Sequence, residues 1–216
     1  MPNISVLIPT RERFEYAKKA IDSLRSKAYD ALNIEYLLKI DQDDDDSLLS
    51  LIELPDDCRW VINERRRGYL DMHLYVNELC EIAKGKLLLL WNDDVFVETE
   101  NWDKIMLDTL GDDEVSVLQI KTGTQFPCIT RKLYDILGHF AQHCANDSYI
   151  EFVVKGLGIM KHTDVEVEHL HGKLNDKLWK ERQSITKEQH AHFWSQEMQD
   201  LIRIDKMKII KYMTRG

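Results

Sequence analysis

The clearest structural signal in this chain is the run Lys86-Leu-Leu-Leu-Leu-Trp-Asn-Asp-Asp-Val-Phe-Val97. Its apolar part, residues 87–91, predicts a strand that is buried on both faces in a parallel sheet. The run stops at Asn92, Asp93 and Asp94, and open α/β sheets bind their ligands at the carboxyl ends of such strands. Two adjacent carboxylates repel each other, and a hard divalent cation such as Mg²⁺ or Mn²⁺ would relieve that repulsion. The spacing alone leaves a second interpretation open, a polar turn after a buried strand.

Strand and helix patterns alternate on the N-terminal side of this run. Strand patterns occur at residues 4–8, 34–40 and 59–63, and apolar residues at helical spacing separate them from the next strand. Gly85, just before the central strand, is predicted to cap the preceding helix. The alternation predicts an α/β fold, a three-layer, mostly parallel central sheet flanked by helices. The chain has no GxGxxG and no GxxxxGK[ST] motif, so ordinary dinucleotide and P-loop sites are not supported.

Composition and charge limit the classes of function. The chain has 216 residues, 44% of them hydrophobic, which suits one domain or one domain with a tail. Its net charge of −9 argues against general nucleic-acid binding, which needs a basic face. Part of the acidic excess is clustered at residues 41–46 and at Asp93 and Asp94. A clustered excess fits a cation site as well as it fits a solubility function.

Cysteine usage and hydropathy predict a cytoplasmic protein. The four cysteines form no CxxC pair and fit no zinc spacing, so we expect reduced, buried thiols. The first residues show a strand pattern in place of a signal peptide, and no apolar run approaches the roughly 20 residues that span a bilayer.

Two loops that follow predicted strands carry basic residues. Residues 9–13 include Thr10, Arg11 and Arg13, close to the amides that begin the next helix, and such a loop can hold an anion or a nucleotide. Residues 64–68 place three arginines, ending with Arg67, before a glycine. Each loop is either an anion site or an ordinary solvated loop, and the residues alone leave both interpretations open.

The second strand ends in the acidic run Asp41-Gln-Asp-Asp-Asp-Asp-Ser47. An EF-hand loop would need Gly at the sixth position and Glu at the twelfth, where this chain has Asp46 and Ile52, so we reject a calcium loop. The run either caps a helix, where the helix dipole favours acids, or contacts a ligand. Asp41 and Asp43 are nearer the strand end and are the ligand candidates, whereas residues 44–46 are expected to face solvent.

Three of these features together resemble family 2-type glycosyltransferases of the glycosyltransferase A fold. They are the opening Ile4-Ser-Val-Leu-Ile-Pro-Thr-Arg11, the acid Asp41 after the second strand, and the passage from Ala83-Lys-Gly85 to Trp91-Asn-Asp-Asp94. The resemblance covers roughly residues 3–170. It implies a metal-dependent inverting enzyme that moves a sugar from a nucleotide-sugar donor, a UDP-sugar in our expectation, to a saccharide or other hydroxyl acceptor.

The resemblance also assigns the donor and metal residues. It implies that Thr10, Arg13, Asp41 and Asp43 hold base and ribose. With the basic loops and the motif acid, the candidate nucleotide-binding residues are Thr10, Arg11, Arg13, Asp41, Asp43, Arg67 and Asp93. The Asp-x-Asp metal motif of the family falls on Trp91-Asn-Asp-Asp94. Its first acid is replaced by Trp91 or Asn92, depending on the register, so either Asp93 or Asp94 is the acid that touches Mn²⁺ or Mg²⁺.

A histidine is the expected partner of these acids. Residues 164–169 alternate as a half-buried strand does, and they end in His169-Leu-His171. By themselves the two histidines suggest a surface pair or a weak metal site. Many glycosyltransferases of this fold use a histidine after their last strand as a metal ligand, which makes His169 the first choice and His171 the second. The candidate metal ligands are therefore Asp93, Asp94 and His169.

The catalytic candidate is Asp147, in the run Asn146-Asp-Ser-Tyr149 that opens a predicted helix. Taken alone, Asp147 is a helix cap. The resemblance implies a general base at this helix start, with Asn146 in a position where the family commonly has Glu. It also makes the region after the motif the acceptor side of the cleft. Lining candidates there are Trp102, Phe126 and Thr130, unless they belong to the core.

The division predicted for the chain is a catalytic domain at residues 1–175 and a helical extension at residues 176–216, packed on the same domain. Thr186 is expected to cap a helix in this extension, and the end is amphipathic and lysine-bearing. Such an end can also lie on a membrane surface or form a homodimer contact.

Two other functions compete with sugar transfer. A nucleotidyltransferase would normally carry a glycine-rich, lysine-bearing loop after the first strand, and residues 9–13 have neither residue. A non-catalytic relative that binds a partner through the same cleft is the other alternative, because the Asp-x-Asp motif is altered.

Overall fold

The structure, a computed structural model, describes residues 2–121, 123–170 and 173–214, with the side chains at 123 and 124 excluded. The strands of this part of the chain are β1 Ile4–Pro9, β2 Ile34–Asp41, β3 Cys58–Asn63, β4 Leu87–Leu90, β5 Val95–Val97, β6 Val117–Ile120, β7 Gly123–Thr130, β8 Met160–His162 and β9 Val167–His169. The α-helices are α1 Phe14–Ser26, α2 Asp45–Ser50, α3 Met72–Ile82, α4 Trp102–Leu110, α5 Arg131–Leu137, α6 Asn146–Val154, α7 Lys177–Phe193 and α8 Gln196–Met213.

Seven strands form the central sheet, in the order β3-β2-β1-β4-β7-β6-β8. The four strands β3, β2, β1 and β4 are parallel to one another, β7 is antiparallel to both β4 and β6, and β6 is parallel to β8. The predicted three-layer, mostly parallel sheet is confirmed. The strand order reverses between β1 and β4, and the carboxyl edge beside such a switch point is where open sheets form ligand crevices.

Two buried clusters on opposite faces of the sheet make up the core. Successive side chains of a strand point to opposite faces, so Ile4, Val6 and Ile8 of β1 join one cluster and Leu7 joins the other. Helices α1 and α4 complete the first cluster, and α3, α5, α6 and α8 complete the second. Because helices cover both faces, the central strands need continuous apolar sequence, which is the pattern of Leu87–Leu90.

A second, two-stranded sheet follows the carboxyl end of β4. β5 pairs antiparallel with β9, and Val95 lies opposite His169. The predicted strand at residues 164–169 is thus shorter than expected, since pairing begins only at Val167. This hairpin-like pairing of distant segments places the end of β9 beside the acids that follow β4.

The prediction that Gly85 caps the helix before the central strand is wrong. α3 ends at Ile82 with Ala83, in an extended conformation, as its C-terminal cap. Gly85 lies against β1 instead, where its N–H donates to Ser5 Oγ at 2.8 Å. A Cβ at this position would lie 2.6 Å from the Ser5 backbone nitrogen. The glycine therefore allows a close approach of two backbones.

The C-terminal segment forms two helices in place of the expected one that Thr186 was to cap. Asp176 caps α7 by accepting a hydrogen bond from Trp179 N–H. Thr186 lies within α7, where its hydroxyl donates to the Arg182 carbonyl at 2.9 Å, so the predicted cap is wrong. Ser195 caps α8. No described helix combines the length and apolar character needed to cross a membrane.

Helix α8 packs on α5 and α6. Its buried Asp205 accepts hydrogen bonds from Tyr149 and from Gln142, the latter at 3.0 Å. Lys208 Nζ lies 2.8 Å from the same carboxylate. The pKa of Asp205 is held far below its usual range, because these partners and His139 outweigh the effect of burial. A charge buried with several partners fixes the position of the helix that carries it.

Candidate active site

A cleft opens at the carboxyl ends of β1, β2 and β4, beside the strand-order reversal. One half of it is lined by the loop after β1, by the acid that ends β2 and by the acids after β4. The start of α6, residues 144–147, and one face of α7 line the other half. Most of the residues predicted from sequence thus converge on one cavity, although they come from separate parts of the chain.

Asp94 and His169 form the most specific contact in the cleft. His169 Nε2 lies 3.3 Å from Asp94 Oδ1, and Leu170 N–H donates to the Asp94 carbonyl at 3.0 Å. Burial raises the pKa of the Asp94 carboxyl, but the hydrogen bond and charge of His169 outweigh it, so the pKa is lowered overall. The edge of the His169 ring also packs against Phe126, with ring centroids 5.3 Å apart. The imidazole is therefore held in place from two sides.

Asp93 has different partners from its neighbour. Thr10 Oγ1 donates to Asp93 Oδ2 at 3.0 Å, and Arg13 Nη1 donates to Oδ1 at 3.4 Å. Burial raises the pKa of Asp93 to about 7, although the Arg13 charge acts against it. The cleft therefore contains an acid whose charge is only partly compensated by the protein. Such an acid favours an added cation.

Trp91 and Asn92 show how the altered motif is arranged. The Trp91 side chain is fully buried in the core, and its indole N–H donates to the Val95 carbonyl at 3.0 Å. Asn92 lines the cleft together with Asp93 and Asp94. The polar part of the motif is thus Asn92-Asp-Asp94, and Trp91 supports the turn that presents it.

Asp41 is held between two cations. Arg11 Nη1 lies 3.1 Å from Asp41 Oδ2, and Lys39 Nζ lies 3.2 Å from Oδ1. Lys39 is 2% exposed and also sits over the Tyr75 ring, 4.8 Å from its centroid. Arg11 pairs as well with Asp43, whose side chain is 57% exposed. The sequence analysis missed Lys39, although a lysine inside an apolar strand is itself a signal, because buried lysines are rare unless paired.

The basic turn after β3 contributes a different arginine from the one expected. The Arg67 side chain is 70% exposed and pairs with Asp71 at 2.7 Å, and it is not among the residues that line the cleft. Arg65 does line the cleft, where it pairs with Glu181 of α7 at 2.7 Å. Arg67 therefore lies outside the cleft, because Asp71, one helical turn away, holds it there, and Arg65 is the arginine of this turn that lines the cleft.

Asp147 lies in the cleft at the first turn of α6. The N-cap of this helix is Ala145, whose side chain makes no cap hydrogen bond. Asp147 is therefore not the N-cap residue, although the backbone amides of Asp147 and Ser148 at the helix start hydrogen-bond to its carboxylate. Burial raises the pKa of Asp147, and the positive charge of Arg182 on α7 acts in the opposite direction. Both side chains line the same cavity.

One further expectation is wrong, that for Asp44, and the alternatives left open for Trp102, Phe126 and Thr130 are decided. Asp44 is buried, because its side chain accepts from Ser47 N–H and from Glu12 N–H, the latter at 2.8 Å, whereas Asp45 and Asp46 are exposed as predicted. Trp102 and Phe126 belong to the core. Thr130 caps α5. None of these three residues, predicted to line the acceptor side, lines the cleft.

One wall of the cleft was not predicted from the sequence. It consists of Leu174 and the α7 residues Leu178, Trp179, Glu181, Arg182 and Gln189. The segment is polar and has no motif, so the sequence offered only the helical spacing of its few apolar residues.

Cys144 also lines the cleft, and burial raises the pKa of its thiol to about 11, so the thiol stays protonated at neutral pH.

The ligand atoms in the cleft fit a divalent cation whose coordination shell is supplied partly by the protein and partly by a substrate. No group of three or more His, Cys, Asp and Glu side chains that could hold a metal occurs within residues 2–121, 123–170 and 173–214. His171, the second-choice ligand, lies outside the described residues. Asp94 and His169 supply one carboxylate and one imidazole, ligands that suit Mn²⁺. Cations in phosphate-transfer sites commonly take one or two carboxylates and complete their shell with substrate phosphates.

Fold and cleft together define an α/β protein with a cleft at the carboxyl edge of a mostly parallel sheet. The family model of Glycosyl transferase family 2 matches residues 5–155. The chain therefore belongs to glycosyl transferase family 2, and the resemblance seen in the sequence is confirmed.

Solved structures agree with the fold. A mannosyltransferase of Pyrobaculum calidifontis, PcManGT, in complex with GDP-Man and Mn²⁺, superposes with a TM-score of 0.61 at 15% identity over 74% of this chain and 56% of the other. S. aureus TarS residues 1–349 with UDP gives a TM-score of 0.59 at 14% identity, over 74% of this chain and 57% of the other. The chain thus spans little more than half the length of these proteins. No curated protein sequence matches it.

Proposed function

We propose that the protein transfers a sugar from a nucleotide-sugar donor to a hydroxyl acceptor, in a metal-dependent reaction with inversion at the anomeric carbon. The observation that carries the proposal is the Asp94–His169 pair, 3.3 Å apart, in a cleft that also holds Arg13, Asp93 and Asp147. Neighbours of the same fold were solved with GDP-Man and Mn²⁺, with UDP and with UDP-GlcNAc, which supports a diphosphate-linked donor.

Each half of the cleft has a role in this proposal. Asp94 and His169 hold Mn²⁺ or Mg²⁺, and Arg13 with Thr10 and Asp93 lies beside them, on the side of the donor. Asp41, between Lys39 and Arg11, faces the base and ribose. When bound, the cation neutralises charge on the diphosphate that leaves the sugar. Because Asp94 is the acid in contact with His169, it is the acid assigned to the metal.

Asp147 is the general base on the acceptor side. The acceptor oxygen attacks the anomeric carbon, its proton passes to the Asp147 carboxylate, and the bond from that carbon to the diphosphate oxygen breaks. A single displacement of this kind inverts the anomeric configuration. An acceptor hydroxyl is a poor nucleophile until its proton is removed, and a positioned carboxylate typically contributes a factor of about 10² to 10⁴.

The experiment has two stages. Thermal shift and calorimetry measure the binding of UDP, GDP and their sugar conjugates with and without Mn²⁺, since ligands that bind the native state raise the apparent stability. The best donor is then incubated with a panel of saccharides, and NMR identifies the products. We expect release of a nucleoside diphosphate and a product of inverted configuration. Binding without turnover across the panel would favour a non-catalytic relative, and release of pyrophosphate would favour a nucleotidyltransferase.

A further inference from the structure

The matched family region ends at residue 155, yet α7 supplies one wall of the cleft. The contact that joins this wall to the donor half is between Arg13 and Asp176. Arg13 Nε lies 2.7 Å from Asp176 Oδ2, and Arg13 Nη2 lies 2.7 Å from Oδ1. Asp176 also caps α7 by accepting from Trp179 N–H at 2.9 Å. One carboxylate therefore serves both the helix terminus and the arginine.

The two edges of the Arg13 guanidinium are used differently. The Nε and Nη2 edge makes a bidentate, charge-assisted pair with Asp176, the strongest form of arginine–carboxylate contact. The remaining nitrogen, Nη1, lies 3.4 Å from Asp93 Oδ1 and 3.8 Å from Asp94 Oδ2, which are long separations for such contacts. Asp176 thus fixes the arginine, while Nη1 makes only long contacts with the two acids that follow β4.

We propose that Asp176 is a positioning residue, which aims Nη1 of Arg13 at the diphosphate of the donor and thereby couples the docking of α7 to donor binding. The inference rests on the proposed function, because it takes a nucleotide diphosphate as the ligand. A phosphate oxygen at normal hydrogen-bond distance is a better acceptor for Nη1 than carboxylates at 3.4 and 3.8 Å. The Arg13 side chain is 8% exposed, so water competes only weakly for hydrogen bonds from Nη1.

A second ion pair ties α7 to the other donor-side loop. Arg65 Nη2 lies 2.7 Å from Glu181 Oε2, and the Glu181 carboxylate lies close to Gly68. A Cβ on Gly68 would lie 2.2 Å from Glu181 Oε1. Helix α7 is therefore anchored to two loops that follow parallel strands, and both anchors use an arginine that lines the cleft. Leu178 and Phe193 are the buried residues of α7, so polar contacts carry much of its docking.

The coupling must act in both directions. If a docked α7 aids diphosphate binding through Arg13, then diphosphate binding stabilises the docked helix by the same factor. The expected signature is protection of α7 amides from hydrogen exchange when a nucleoside diphosphate binds. This effect concerns residues that lie outside the matched family region.

Three variants test the proposal. Asp176→Asn keeps a residue type that caps helices about as well as aspartate, but removes the charge that fixes Arg13. Asp176→Ala removes both functions. Lys177→Gln is the matched control, since it removes an exposed ion pair at the same helix end, Lys177 Nζ to Glu12 Oε1 at 3.1 Å, without touching Arg13. Calorimetry with UDP or GDP plus Mn²⁺ gives the affinity, and hydrogen exchange of the full chain gives the protection of α7.

We expect Asp176→Asn and Asp176→Ala to weaken nucleoside diphosphate binding by about tenfold, the loss of one charge-assisted contact. Both should abolish the nucleotide-dependent protection of α7, whereas Lys177→Gln should behave as the wild type. Normal affinity in Asp176→Asn with weak binding in Asp176→Ala would reduce Asp176 to a helix cap and overturn the proposal. Equal weakening in all three would indicate general loosening of the helix and also overturn it. If the wild type bound no nucleoside diphosphate, the proposed function itself would fail, and this inference with it.

Discussion

His169 Nε2 lies 3.3 Å from Asp94 Oδ1, although the two residues come from segments far apart in the chain. The pairing of β5 with β9 causes this, because Val95 lies directly opposite His169 in the register. The residue before Val95 and the side chain at the end of β9 then face the same cleft. A short antiparallel pair thus brings together the carboxylate and the imidazole that we assign to the metal.

Replacement of His169 tests this assignment. We expect His169→Ala to weaken Mn²⁺-dependent UDP or GDP binding by at least about tenfold, because loss of groups that hold or orient a metal typically has effects of this size or larger. Calorimetry with and without Mn²⁺ measures it. His162→Ala, at an exposed position on β8, is the control and should leave binding unchanged. An undiminished Mn²⁺ effect in His169→Ala would remove His169 from the metal site.

The buried carboxylate of Asp93 should make stability depend on pH. Its pKa is raised to about 7 by burial, against about 3.9 in an unfolded chain. Between these values the folded protein keeps a proton that the unfolded chain has lost, so stability falls as the pH rises from about 4 to about 7. We expect Asp93→Asn to raise the free energy of unfolding of metal-free protein at pH 8 by on the order of 1–4 kcal/mol, and with it the melting temperature, and to change both little at pH 4.

The control for this experiment is Asp43→Asn, which changes an exposed carboxylate that pairs with Arg11. It should leave the pH dependence of the melting temperature as in the wild type. If Asp93→Asn melted at or below the wild-type temperature at pH 8, Asp93 would be a stabilising ion-pair partner of Arg13.

Asp41 and Asp43 form a matched pair of substitutions, since both contact Arg11. Asp41→Ala leaves the buried Lys39 without its carboxylate, and breaking a buried pair destabilises by roughly 3–5 kcal/mol. Asp43→Ala removes an exposed pair, worth about 0–1 kcal/mol. Denaturant unfolding should separate the two variants clearly. Equal destabilisation would mean that Lys39 does not depend on Asp41.

Nucleotide binding by Asp41→Ala is measured well below its melting temperature, so that the folded protein is compared. We expect a loss of affinity larger than the effect of one neutral hydrogen bond, about 0.5–1.5 kcal/mol. An unchanged dissociation constant in calorimetry would remove Asp41 from the nucleotide site.

The sequence predicted the fold well because its signals were local. The apolar run that became Leu87–Leu90 and the alternation of strands and helices directly encode a parallel sheet with both faces covered. Parallel strands present their carboxyl ends at one edge, so the sequence predicts that Thr10, Asp41 and Asp94 meet there. The structure brings all three to the cleft.

What the sequence could not supply were contacts between distant segments. Arg65 and Arg67 look alike in the sequence, and only the position of Asp71 and Glu181 decides which of them faces the cleft. Gly85 follows a helix in the way that a cap does, but its function depends on the proximity of Ser5. The α7 wall has no motif because its polar residues act through partners on other loops.

The activity should rise with pH through the raised pKa of Asp147, because a general base must be ionised. Burial raises this pKa and the charge of Arg182 opposes the effect. We therefore expect Arg182→Gln to move the rising limb of the pH–rate profile to higher pH. The pH dependence of kcat, measured at saturating donor and acceptor, tests this expectation. An unmoved limb would mean that Arg182 does not influence the base.

Asp147→Asn is the decisive test of the chemistry. Asparagine keeps the shape of the side chain but cannot accept the acceptor's proton, so we expect transfer to fall by about 10² to 10⁴. Stability should change little, because asparagine accepts hydrogen bonds from backbone amides at a helix start about as well as aspartate does. Glu151→Gln, the same change one turn further along α6, is the matched control and should transfer normally. A folded Asp147→Asn protein with normal donor binding and a normal transfer rate would remove Asp147 from the base role. A product that retains the anomeric configuration would contradict the single-displacement mechanism as a whole.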